Sequence, residues 1–255
     1  MTDARDPRRV RSYLRERLRV GPVHLTLIDP DKSPGERAAV VARAAVAEGS
    51  DAIMLGGSTG ISPEGMASAA RAVKAAVPVP TIIFPEGPTS LSSEADAIYF
   101  MSLMNSRNLE YVVRAQARAA PYIRRLGLEP ISLGYIVVAP GMRVGEVGAV
   151  DALPRDDLAG AQGYALAAEY FGMELVYLEA GSGAPSPVPG EMVRAVRSVL
   201  SVPLIVGGGI RTGRDAAALL AAGAQMLVTG SVTEEEGIGP GFREILGEVK
   251  RAREH

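Results

Sequence analysis

The sequence contains no cysteine and only two histidines, His24 and His255, among its 255 residues. Disulfides, thiolate metal sites and histidine-rich metal sites are therefore excluded. Any bound metal must be held mainly by oxygen atoms, which are the ligands that Mg2+ prefers in proteins. If this protein uses a metal cofactor, the composition thus favours Mg2+.

Long apolar runs and a concentration of basic charge are missing as well. No window reaches the roughly 18 apolar residues of a membrane-spanning helix, and residues 1–20 lack the apolar centre of a signal peptide. The formal net charge of −2 does not indicate nucleic-acid binding, which needs a clustered basic surface. We therefore expect a soluble, cytoplasmic protein with no membrane span and no nucleic-acid partner.

Short apolar segments alternate with alanine-rich stretches of helical periodicity, which indicates βα units around a parallel sheet. Eight strands are predicted, over residues 23–28, 52–55, 81–84, 97–101, 131–138, 175–178, 204–206 and 226–228. Eight such strands close into a barrel more readily than they form an open sheet. The sequence thus predicts one α/β domain over residues 1–255, a TIM-type (β/α)8 barrel, with an extra helix over 7–19 covering the barrel bottom.

The predicted helices that follow the strands cover residues 36–48, 63–76, 109–126, 156–171, 189–200, 212–222 and 241–253. One interval has none, because only twelve residues separate Phe84 from Ala97 and a crossover helix usually needs more chain. We expect the third helix to be missing or replaced by an extended segment. The gap could admit an elongated ligand, although a merely shortened loop is the alternative interpretation.

Polar residues follow the first two strands, at the barrel end where reactive groups lie in this fold. The first strand ends in Asp29-Pro30-Asp31-Lys32, whose carboxylates could hold Mg2+ while the ammonium contacts a phosphate. The same residues also suit an ordinary turn. The second strand ends in Gly-Gly-Ser-Thr-Gly, residues 56–60. The glycines let the backbone approach an anion, and the hydroxyl groups can complete the coordination of a metal ion.

Two single side chains follow the fourth and fifth strands. We expect Asn105 to cap the next helix, with orientation of a polar substrate as the alternative. We expect Arg143 to be a solvated surface residue, with a phosphate clamp as the alternative.

The last three strands all end in glycine and small hydroxyl residues. They run through Tyr-Leu-Glu-Ala-Gly-Ser-Gly (177–183), Gly-Gly-Gly-Ile (207–210) and Thr-Gly-Ser (229–231). Their backbone N–H groups at adjacent strand ends predict a phosphate site. Because side chains alternate along a strand, Tyr177 and Glu179 should point to the same side. A carboxylate in the barrel mouth is costly unless it is used or paired.

Taken together, segments 27–32, 56–58, 102–106, 177–183, 206–210 and 229–231 resemble the geranylgeranylglyceryl phosphate synthase family, in matching order from about residue 23 to 235. The resemblance is to the archaeal type, which is related to bacterial heptaprenylglyceryl phosphate synthases. It implies a modified TIM barrel without the third helix. It also implies a prenyltransferase that joins sn-glycerol 1-phosphate to geranylgeranyl diphosphate, forming the first ether bond of archaeal membrane lipids and releasing diphosphate.

The resemblance also implies roles for single residues. Asp29 and Ser58 would hold Mg2+. For the transfer itself, Glu179 is our candidate for orienting the glycerol 3-hydroxyl and accepting its proton, and Tyr177 would support the glycerol phosphate by hydrogen bonding. The glycerol phosphate would be bound by Tyr177, Leu178, Glu179, Ala180, Gly181, Ser182, Gly183, Gly207, Gly208, Gly230 and Ser231.

Two positions depart from patterns seen in the family. Leu27 stands where some members have lysine, and Ser231 stands where many have asparagine. Both fit the archaeal form, but they leave open what replaces the lysine. The prenyl tail would lie where the third helix is missing, and we expect a homo-oligomer, either a dimer or a hexamer.

Three other functions stay open at this point. One is a phosphate-binding barrel enzyme of amino-acid biosynthesis, which would need no Mg2+. Another is a synthase of the same family that uses a longer prenyl chain. The third is a non-catalytic barrel that binds a phosphorylated metabolite and signals by assembly.

Overall fold

The computed structural model describes residues 9–57, 60–88, 90–231 and 238–254. Eight parallel strands form one closed barrel, in which β8 pairs with β1. The strands are β1 (Val23–Ile28), β2 (Ala52–Leu55), β3 (Thr81–Ile83), β4 (Ala97–Leu103), β5 (Glu129–Val137), β6 (Leu175–Glu179), β7 (Leu204–Gly207) and β8 (Met226–Thr229). The predicted barrel is confirmed, and each predicted strand end lies within two residues of the observed one.

The helices of the described residues surround the barrel. They are α1 (Arg9–Val20), α2 (Glu36–Glu48), α3 (Pro63–Ala76), α4 (Ala115–Leu126), α5 (Met142–Val147), α6 (Leu158–Tyr170), α7 (Gly190–Arg197), α8 (Gly213–Ala221) and α9 (Pro240–Arg253). A π-helical turn, Glu110–Arg114, leads into α4 where one helix over 109–126 was predicted. The short helix α5 was not predicted, because its six residues include a glycine and are too few to show helical periodicity.

The chain passes from β3 to β4 without a helix in the described residues, 84–88 and 90–96. The prediction that the third helix is missing is therefore confirmed. Ile98 and Phe100 lie on the outer face of β4, beside this gap. None of the helices in the described part of the chain is long and apolar enough to cross a membrane.

Small residues let the helices approach the barrel closely. Three alanines of α2 are fully buried, namely Ala38, Ala42 and Ala45. At Gly134 in β5, an added Cβ atom would overlap the Cβ atom of Ala168 in α6. A larger side chain at Gly134 would push this helix away from the barrel.

Helix α1 crosses the N-terminal end of the barrel from the start of β5 to β2. The Glu129 carboxylate is only 4% exposed and accepts hydrogen bonds from the backbone nitrogens of Val10 (2.6 Å) and Arg11 (3.1 Å). At the other end of the helix, Arg17 pairs with the buried carboxylate of Asp51 at 2.7 Å. The helix predicted over 7–19 thus begins at Arg9 in the described residues, which do not include Pro7 and Arg8.

The substitution Glu129→Ala should lower the free energy of unfolding by about 3 kcal/mol, because it leaves buried donors of α1 without their acceptor. Urea denaturation measures the change. The control Glu191→Ala, at an exposed position of α7, should change it by less than about 1 kcal/mol. Equal effects of the two substitutions would show that Glu129 does not hold α1 in place.

Candidate active site

The Glu179 carboxylate lies at the end of β6 inside the barrel mouth and is 6% exposed. Its Oε1 atom accepts a hydrogen bond from the Gly181 backbone nitrogen at 2.6 Å. Its Oε2 atom accepts one from the Tyr135 hydroxyl at 3.1 Å, and the Tyr177 hydroxyl is a further donor. Burial raises the pKa of Glu179, while these three hydrogen bonds act in the opposite direction. Tyr177 and Glu179 therefore share one side of the strand, as predicted.

Aromatic rings form the wall behind this carboxylate. The centroids of Tyr135 and Tyr177 are 4.9 Å apart with planes at 77°, and Phe84 lies 5.5 Å from Tyr135. Burial, followed by the negative charge of Glu179, raises the pKa of both tyrosines well above the ordinary value. Both phenols thus stay protonated and act as donors to the carboxylate.

Sequence reasoning missed Tyr135. It lies within the apolar segment Ile-Ser-Leu-Gly-Tyr-Ile-Val-Val and looks like an ordinary core residue there. The available signal was its alternation with Leu133 and Val137, which places all three side chains inside the barrel.

Glycines and hydroxyl groups of the last three strand ends form a small pocket beside Glu179. The Gly183 nitrogen donates to the Ser231 hydroxyl at 3.0 Å, which lies 3.0 Å from the Ser182 hydroxyl. Gly208 and Gly209 have φ angles of +79° and +71°, the left-handed region that favours glycine. We call this the anion pocket; its wall includes Ser182, Gly183, Gly208, Gly209, Gly230 and Ser231.

Leu178, Ala180 and Gly207, which were predicted to bind glycerol phosphate, place no side chain in the anion pocket. The side chains of Leu178 and Ala180 are buried against the outer helices, so only their backbone atoms could contact a ligand. An added Cβ atom at Gly207 would overlap the Tyr177 hydroxyl. Gly207 thus gives space to Tyr177.

Asp29 follows the C-terminal end of β1, the strand that pairs with β8 in the closed barrel. Its Oδ1 atom accepts a hydrogen bond from the Asp31 nitrogen at 3.0 Å, and the Lys32 ammonium is 3.9 Å from Oδ2. An added Cβ atom at Gly57 would come within 2.8 Å of the Asp29 carboxylate. The absence of a side chain there leaves the carboxylate space. Ser58, predicted as its partner in binding metal, lies outside the described residues.

The donor set at Asp29 fits Mg2+ only with help from a substrate. The described residues contain no group of three or more histidine, cysteine, aspartate or glutamate side chains that could hold a metal. Mg2+ is commonly bound by one or two carboxylates together with phosphate oxygens and water. A diphosphate beside Asp29 would supply the oxygens that the protein lacks.

A long groove leads from the barrel mouth into the gap left by the missing helix. It begins beside Asp29 and Glu179, passes Phe84, and runs outward between the β3–β4 connection and α4. We call it the apolar groove; its outer part is lined by Leu91, Ile98, Phe100, Ala119 and Ile123. Leu27, Tyr177, Glu179 and Ser182 line both the apolar groove and the anion pocket, so the two spaces meet there.

Two expectations about single side chains have different outcomes. Asn105 caps no helix, because its amide nitrogen donates to the carbonyls of Val137 (2.8 Å) and Asp151 (2.9 Å). It is buried and ties β5 to the segment after α5, so the expected cap was wrong. Arg143 is more than half exposed and 3.7 Å from Glu146, as expected for a surface residue, although it also lines the apolar groove.

Comparison with known proteins places the chain in a family. Residues 12–250 match the PcrB family. The chain belongs to the PcrB family. It is 47% identical to the geranylgeranylglyceryl phosphate synthase of Thermococcus kodakarensis, over 95% of this chain and 96% of that protein. Identity to the Pyrococcus horikoshii synthase is 49%, over 89% of both chains. The resemblance inferred from the sequence is confirmed.

Solved structures of geranylgeranylglyceryl phosphate synthases have the same fold. A Thermoplasma acidophilum geranylgeranylglyceryl phosphate synthase, solved in complex with its substrate sn-glycerol-1-phosphate, superposes with a TM-score of 0.90 at 46% identity. The similarity covers 93% of this chain and 97% of that one. A thiamine phosphate pyrophosphorylase from Pyrococcus furiosus has a TM-score of 0.59 at 16% identity, which shows only that the barrel fold is shared.

The substitution Gly208→Ala should destabilise the protein by about 2 kcal/mol or more, as judged by urea denaturation. The φ angle of Gly208 is unfavourable for alanine, and the added Cβ atom would overlap the Glu179 carboxylate and crowd the Gly181 nitrogen. The control Gly163→Ala lies in α6 with no atom within 4 Å and should raise stability by up to about 1 kcal/mol. A harmless Gly208→Ala would contradict the packing described for the anion pocket.

Proposed function

We propose that this protein is a prenyltransferase that joins sn-glycerol 1-phosphate to geranylgeranyl diphosphate and releases diphosphate. The single observation that carries the proposal is the position of Glu179, which lines both the anion pocket and the apolar groove. A base at that junction can contact a small phosphorylated alcohol from one side and an isoprenoid from the other. The names of the relatives, at 46–49% identity, support the same reaction.

The anion pocket would bind the phosphate of glycerol phosphate. Backbone N–H groups at glycine-rich strand ends suit a phosphate, and the Arg211 side chain on the pocket wall adds positive charge. With the phosphate seated there, the glycerol carbons would extend towards Glu179, which also lines the pocket.

The diphosphate of the second substrate would lie beside Asp29 and Lys32, at the inner end of the apolar groove. Asp29, with Ser58 as the predicted partner, would hold Mg2+ there. When bound, Mg2+ would supply positive charge that offsets the charge of the departing diphosphate. The Lys32 ammonium, which lines the same part of the groove, would contact a diphosphate oxygen.

Glu179 would act as the general base. The glycerol 3-hydroxyl gives its proton to the carboxylate while its oxygen bonds to the first carbon of the prenyl chain. The bond from that carbon to diphosphate breaks, and diphosphate leaves with the electron pair. Because burial raises the pKa of Glu179, the carboxylate is a stronger base than an exposed glutamate.

The apolar groove distinguishes this reaction from the alternatives. An enzyme acting on a small phosphorylated metabolite would have no use for a groove that continues past Phe100 to Ile123. A prenyl tail matches its apolar lining. A synthase that uses a longer prenyl chain would need such a groove as well, so the choice of prenyl chain length is tested by assay.

The assay combines the protein with sn-glycerol 1-phosphate, Mg2+ and prenyl diphosphates of graded length, with product detected by mass spectrometry. We expect an ether product, most rapidly from the geranylgeranyl substrate, and no product after chelation of Mg2+. A faster reaction with a longer prenyl diphosphate would show that the protein is a longer-chain prenylglyceryl phosphate synthase. No product from any prenyl diphosphate would contradict the prenyltransferase proposal.

The substitution Glu179→Gln should lower kcat by at least about a thousandfold, since it removes the base while keeping the shape of the side chain. Binding of sn-glycerol 1-phosphate, measured by calorimetry, should change only a few-fold. Near-normal turnover by this variant would remove Glu179 from the chemistry.

Substitution of Tyr135 by phenylalanine should shift the acidic limb of the pH–kcat/KM profile to higher pH. A base works only above its pKa, so activity falls as the pH drops through the pKa of Glu179. Burial already raises that pKa, and the Tyr135 hydroxyl donates to the charged form and lowers it. Loss of this donor raises the pKa further. The exposed-site control Tyr170→Phe should leave the limb unmoved; an unmoved limb in Tyr135→Phe would contradict the assigned hydrogen bond.

A further inference from the structure

The helix that forms one wall of the apolar groove also presents a face to solvent. Tyr111, Ala115, Ala119 and Ile123, from the π-helical turn and α4, line the groove. The opposite face of the same segment, residues 107–126, is exposed at most positions. We call that opposite side the outer face of α4.

The outer face of α4 is strongly basic. Residues 107–126 contain five arginines, one glutamate and no lysine or aspartate, whereas the whole chain carries a net charge of −2. Two arginines have acidic partners, since Arg118 pairs with Glu110 and Arg107 with Asp151. Arg114, Arg124 and Arg125 are all exposed. The face therefore carries concentrated positive charge in a chain that is otherwise net acidic.

Large apolar side chains lie among these arginines. Leu109, Val113 and Tyr122 are each more than half exposed, and they account for three of the eight exposed large apolar side chains among the described residues. The Arg125 guanidinium lies 4.7 Å from the centre of the Tyr122 ring. Arginine, tyrosine and aliphatic side chains together suit the headgroup region of a bilayer, where both charge and apolar surface find partners.

We propose that the outer face of α4 docks on an anionic lipid bilayer, which would bring the apolar groove, on the other side of the same helix, to within about one helix diameter of the membrane surface. The inference rests on the proposed function, because a prenyl chain in the groove would come from, and return to, a lipid phase. Charge complementarity selects the partner: a dense arginine face attracts a surface of negative headgroups. A two-fold contact with a second copy through this face would instead bring two net-positive faces together, which is unfavourable.

Vesicle sedimentation with the full chain, in the absence of substrate, tests the docking. The protein should sediment with vesicles of phosphatidylglycerol and phosphatidylcholine in equal parts, but not with phosphatidylcholine alone, and added salt should release it. Sedimentation with neither kind of vesicle, or equally with both, would overturn the proposal.

Matched charge-removing variants locate the surface. In R114Q/R124Q/R125Q, binding to the anionic vesicles should fall on the order of a hundredfold, since each arginine near such a surface contributes roughly a fivefold change. The control R37Q/R43Q/R194Q removes the same charge from exposed positions of α2 and α7 and should bind nearly as wild type. Equal losses in the two variants would contradict docking through α4.

Two further readouts separate this proposal from its neighbours. Both variants should convert the short, water-soluble geranyl diphosphate at the wild-type rate. If the wild-type protein binds vesicles but forms no ether product, the proposed function is contradicted and the docking proposal is not. Light scattering should give the same oligomer for both variants and wild type. An oligomer that dissociates only in R114Q/R124Q/R125Q would assign the face to contact between copies and overturn membrane docking.

Discussion

The buried carboxylate of Glu179 is the constraint on which the rest of the site depends. A charge inside a barrel is stable only when hydrogen bonds replace the lost water, and here Tyr135, Tyr177 and the Gly181 nitrogen supply them. Those donors in turn require space. Gly207 leaves room for the Tyr177 hydroxyl, and Gly208 leaves room for the carboxylate itself. Gly207 and Gly208 are thus needed for the packing of Tyr177 and Glu179, whether or not an anion is bound nearby.

The Glu179 carboxylate lies where a polar pocket and an apolar groove meet. On one side the backbone of three strand ends makes a small polar pocket, and on the other an apolar groove leaves the barrel where no third helix closes it. Asp29 marks the inner end of the groove. In the proposed reaction one base then meets both substrates, because the missing helix lets a long chain extend outward from the barrel mouth.

Much of this arrangement could be predicted from the sequence because its signals are local. Strand periodicity located every strand of the barrel, and the short interval after Phe84 predicted the missing helix. The alternation along the strand placed Tyr177 and Glu179 on the same side. Tyr135 could not be predicted, because its partner Glu179 is 44 residues away and its own surroundings in the sequence are apolar. Asn105 was misassigned for the same reason, since its hydrogen bonds reach residues 32 and 46 positions along the chain.

The measurement that tests the central claim most directly is a crystal structure with sn-glycerol 1-phosphate, Mg2+ and an unreactive thiodiphosphate analogue of the prenyl substrate. The account predicts the glycerol phosphate in the anion pocket with its 3-hydroxyl on Glu179. It also predicts the diphosphate beside Asp29 and the tail along Phe100 and Ile123. Glycerol phosphate bound outside the anion pocket, or a 3-hydroxyl turned away from Glu179, would contradict it.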